Sequence, residues 1–150
     1  MKFKFILLAL LLLFTVTFLK AQTNDTKKPV ITLIAPAEGN MLQIGQAIHF
    51  DMDLDDDVML KFYKVEIHEN TDGHVHSANE TKRYPAIFDQ TWDISGHKHR
   101  QIHHHGIVIP ANAKEGSYHF VVYCIDAAGN ESSVVRNVIL SSTRGTHYHH

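Results

Sequence analysis

From about residue 28 onward the apolar residues recur with a period of two, and no segment carries a helical apolar stripe. That alternation sends successive side chains to opposite faces of a pleated strand, so that one face of each strand is buried. Ile48, Phe50, Met52 and Leu54 alternate with His49, Asp51, Asp53 and Asp55, a half-buried strand with an acidic outer face. Over residues 62–68, Tyr63, Val65 and Ile67 read as inward, with Lys64, Glu66 and His68 outward. Further strands are read over residues 30–34, 86–92, 102–109, 118–125 and 134–140, with turn residues such as Gly39, Asn40, Pro110 and Gly129 between them. Seven short strands so punctuated predict an all-β fold: a seven-stranded, Greek-key β-sandwich of immunoglobulin type, with no helix beyond about two turns.

The first residues follow a different rule. Lys2 and Lys4 precede an apolar run over residues 5–19, broken only by Thr15 and Thr17, and Ala21 closes it. This is the pattern of a signal peptide over residues 1–21. The run is shorter than the roughly 18–20 clean apolar residues of a retained anchor. No cysteine follows it, so lipidation at that point is not expected. Residues 22–28 read as a flexible leader, 29–141 as the sandwich domain and 142–150 as a histidine-containing tail. The expected location is the periplasm or the exterior, with no membrane span after cleavage. Removing 21 of the 150 residues takes Lys2, Lys4 and Lys20, and moves the formal charge from −2 to −5. A net negative surface argues against nucleic acid as a partner. Cys124, the only cysteine, has no intrachain partner and sits in an apolar strand, as a small core residue does.

Thirteen residues are histidine, and they cluster as His74–His76, His97–His99, His103–His105 and His147–His150, with His68 and His119 alone in alternating segments. Neutral imidazole is the commonest protein ligand for zinc and copper. Blue-copper ligation would require His and Met soon after Cys124, and residues 126–130 supply neither. The implied cofactor is therefore Zn(II) or Cu(II) held by imidazoles.

In a sandwich of this type the third and sixth strands are antiparallel neighbours. His68 ends one and His119 begins the other, both on the outward parity. Opposed residues have Cβ atoms about 4.5–5.5 Å apart, so the two rings are expected to share a metal. The following loop carries His74 and His76. If Asp72-Gly73 forms a tight hairpin turn, both fall on the face of Glu69 and away from His68; a longer, curled loop over residues 69–84 would bring them to it. Alternation separates His104 from its neighbours, and His104 or His105 is expected to reach the site only if the preceding connection wraps. The candidate ligands are thus His68, His74, His76, His104, His105 and His119. His49 reads as surface. A second acidic group, Asp55 to Asp57 with Asp126, Asn130 and Glu131, has the oxygen density for Ca(II), but turn capping explains Asp55, Asp57 and Asp126 better.

No catalytic signature is present: there is no Gly-x-Ser-x-Gly, His-Glu-x-x-His or nucleotide loop, so no enzyme is expected. Residues 116–130 resemble the last hairpin of bacterial immunoglobulin-like and cadherin-like modules. Lys28-Pro29, Glu66-Ile67-His68, Asp72 to Ser77, Ile107 to Pro110 and Gly116-Ser117-Tyr118-His119-Phe120 resemble, over about residues 28–140, the exported bacterial family of unknown function numbered 4625. The resemblance implies a fold and a compartment but no activity. The sequence therefore predicts an exported domain that binds a divalent transition metal as a buffer, chaperone or sensor, with a cell-envelope protein as the candidate partner. The alternative is a structural or adhesive cell-envelope module.

Overall fold

The computed structural model describes residues 25–70 and 85–143. Eight strands form two sheets, and no helix occurs among the described residues. β1 (Val30–Ala35), β3 (Phe50–Asp55) and β6 (His99–His104) make a three-stranded antiparallel sheet in the order β1-β3-β6. β2 (Met41–Gln43), β8 (Glu131–Ser141), β7 (Gly116–Asp126), β4 (Leu60–Glu69) and β5 (Ala86–Asp93) make the second sheet in that order. Its pairs are antiparallel except β2, which lies parallel to β8. This division of strands is that of an immunoglobulin-like sandwich.

The alternation in the sequence builds the core directly. Phe50, Met52 and Leu54 of β3 are fully buried against Val65 and Ile67 of β4 and Phe120, Val122 and Cys124 of β7, with Val138 and Leu140 from β8. The rings of Phe50 and Phe120, one from each sheet, lie 5.8 Å apart.

Two details differ from the expectation. β2 is an eighth strand, and three residues are too few to show a period. The strand expected over residues 102–109 stops as β6 at His104. There the Gly106 N–H turns to the Nδ1 of His104 at 3.0 Å, replacing a ladder bond with a side-chain bond. Ile107 and Ile109 still reach the core, through backbone bonds to Ile48 and Gln46.

Candidate metal centre

From Phe62 to Glu69 β4 pairs residue for residue with β7, and the register sets His68 directly opposite His119. The core-facing pair beside them is Ile67 with Phe120, so the two histidines share the outer face. Their rings meet edge to face with centroids 5.6 Å apart. That face is not the solvated one expected. His68 is 1 % exposed, and Glu66, Val121 and Tyr123 on the same face are also buried.

Burial makes the charges on this face depend on one another. Lys64 Nζ lies 2.9 Å from Glu66 and 3.1 Å from Asp89, over the ring of Tyr123. Glu66 Oε1 lies 3.2 Å from His68 Nδ1. His68 first, and then Lys64, hold the Glu66 carboxyl down at about 2 against the opposing effect of burial. Next to His119 across the ladder stands Asn137, whose amide donates to Glu38 Oε1 at 2.7 Å and accepts from Asn70 at 3.0 Å. The result is a buried imidazole, a half-buried one opposite it and an ionised carboxylate on one face.

The other proposed ligands divide. His74 and His76 lie outside the described residues, as does the choice between hairpin and loop. His104 and His105 belong to the three-stranded sheet or its exit, not to the sheet of His68. His104 turns toward the interior, its ring 5.2 Å from that of Phe50 and 5.6 Å from that of Trp92. Its Nε2 lies 3.3 Å from the Tyr63 hydroxyl and its Nδ1 accepts from Gly106, so both nitrogens are engaged within the protein. Burial, and then His105 and His103, lower its pKa. His105 is exposed and lies 5.3 Å, ring to ring, from His49, a residue that sequence reading assigned to plain surface. The missed signal was parity: Asp51 and His103 oppose each other on paired strands, and His49 and His105 stand two residues from them, just beyond the strand ends.

The acidic loops are arranged differently from the trio Asp55, Asp57 and Asp126. Asp55 pairs with His99 at 2.7 Å and Asp57 with Lys27 at 3.0 Å, while Asp25 and Asp56 are the carboxylates that approach Asp126. Turn chemistry occupies much of this group. Asp126 accepts from the backbone N–H groups of Gly129 and Asn130, and Asp56 Oδ2 from those of Val58 and Met59. One oxygen each of Asp25 and Asp56 is buried without a hydrogen-bond partner.

An immunoglobulin-like sandwich with two histidines opposed on one outer face is the class that this fold defines. The chain belongs to the family described as Domain of unknown function (DUF4625), whose profile matches residues 19–141. Among curated proteins none matches the sequence. Among solved structures the chain is similar to the fibronectin(III)-like modules of Clostridium thermocellum CbhA, with 14% identity and a TM-score of 0.38, over 77% of this chain and 99% of that one.

Proposed function

We propose that this is an exported domain that binds a divalent transition metal, Zn(II) or Cu(II), through histidine, as a buffer, chaperone or sensor of the cell envelope. The observation that carries the reading is the opposition of His68 and His119 with Glu66 beside His68 Nδ1. A carboxylate on one ring nitrogen orients the imidazole and leaves the other nitrogen as the ligand, an arrangement common around bound zinc. Two imidazoles hold zinc weakly, and structural sites use four ligands. His74 and His76 follow His68 closely in the chain and are the proposed completion.

The test is calorimetric titration with Zn(II) and Cu(II), using protein in which His147, His149 and His150 are replaced by alanine. Adding His68→Ala and His119→Ala is expected to remove one tight equivalent while circular dichroism still reports the β fold. Equal binding by both proteins would sink this reading and favour the structural module.

A further inference from the structure

In the three-stranded sheet, β3 and β6 run antiparallel with Asp51 opposite His103 and Phe50 opposite His104. His49 lies just before β3 and His105 just after β6, and their ring contacts gather them with His103 and Asp51 on the face that points away from Phe50. Phe50 is fully buried, whereas His49, His103 and His105 are exposed. The ring of His49 lies 4.8 Å from that of His103 and 5.3 Å from that of His105, and those of His103 and His105 lie 6.0 Å apart. Two imidazoles bound at about 2.0–2.1 Å to one tetrahedral ion have centroids about 5 Å apart.

The carboxylate fits the same geometry. One ligand atom each of His49, Asp51 and His103 falls within 4.8 Å of the others. Asp51 Oδ2 stands 3.7 Å from His103 Nδ1. That is too long for a hydrogen bond, and near the edge of about 3.4 Å between two ligands of a tetrahedral ion. Asp51 Oδ1 is closed to solvent and has no hydrogen-bond partner. A buried acceptor in that state is costly until something positive meets it.

We propose that His49, Asp51 and His103 form a second divalent transition-metal site, which His105 completes by rotating its ring. It lies on the sheet opposite to the His68–His119 pair and shares no residue with it, so either site can fail alone. Imidazole nitrogens with one carboxylate select Zn(II), Cu(II) or Ni(II) over Ca(II). The exposure of the rings leaves a coordination position open to water or to a ligand from outside.

The probe is Zn(II), with Ca(II) as control, titrated into the full exported chain, into His49→Gln/His103→Gln, into His68→Ala/His119→Ala and into the combination of the two. The His49/His103 pair of substitutions is expected to remove one equivalent and to leave the apo thermal midpoint unchanged, because both rings are exposed. Asp51→Asn is expected to weaken the same equivalent by about tenfold or more. Unchanged stoichiometry and affinity in His49→Gln/His103→Gln overturn the site. The unsubstituted protein supplies a second readout, modification of histidine by diethyl pyrocarbonate mapped by mass spectrometry. Zn(II) should protect His49 and His103 together, and no protection at either also overturns the site.

Discussion

His104 shows how one side chain decides what its neighbours do. By turning inward between Phe50, Trp92 and Tyr63 it forces His103 and His105 to the opposite face, and its Nδ1 ends β6 by capturing the Gly106 N–H. The Tyr63 hydroxyl is its partner in an almost fully buried place. His104→Phe keeps the ring packing but strands that hydroxyl, and should cost about 1–3 kcal/mol in urea unfolding. Tyr63→Phe should cost less, and the double variant should cost less than the sum of the two singles, because the second change removes the group left unpaired by the first. Strict additivity would mean that the two groups do not interact. Asp126 is a second such residue. It accepts from two backbone N–H groups and the Asn130 amide at the β7–β8 turn, where Gly129 takes a φ of 97°. The sequence already marked this turn by its residue types. Alternation separated His104 from its neighbours but did not say which way it faces, because Ile102 before the run and Ile107 after it imply opposite parities until strand pairing is known.

At the scale of the element, β7 differs from a half-buried strand. Residues Phe120 to Asp126 are all buried, and β4 and β8 flank the strand on both sides. β2 and β5 are the edges of the same sheet. Amide hydrogen exchange should therefore be slowest at the centre of β7 and in the facing part of β4, and markedly faster in β5, because edge amides open without breaking the core. Exchange from Val122 as fast as from Gln90 would contradict this order. Period two made most strands legible, along with the antiparallel pairing that set His68 opposite His119. β2 was not legible, since its three residues pair parallel to β8, a long-range choice that no local pattern encodes. The burial of Glu66 and His68 was not legible either: a polar residue on an outward position reads as solvated, and only the cover on that face removes the water.

For the molecule as a whole, the interior holds two groups that stay neutral because they are buried. Burial pushes the Tyr63 phenol and the Cys124 thiol each up to about 12. A raised pKa in the folded state gives stability that is complete below the unfolded values of 10.0 and 9.0 and is lost as pH rises toward about 12. Urea midpoints should be flat to about pH 9 and should then fall. Cys124→Ala should begin lower but decline less steeply, and native protein should not react with thiol reagents until it unfolds. A midpoint independent of pH from 9 to 11 would contradict the assignment. The sequence by itself determined the class of fold, much of the core, the parity of β3, β4 and β7 and the pairing of His68 with His119, because alternation and turn chemistry are local and repeat along the chain. Only the tertiary structure decided that the three-stranded sheet gathers His49, Asp51, His103 and His105 on one face. It also decided that His104 turns to the core side and that His68 and Glu66 are buried. Those outcomes depend on register between strands some fifty residues apart and on what packs over a sheet, and both are set by the whole core at once.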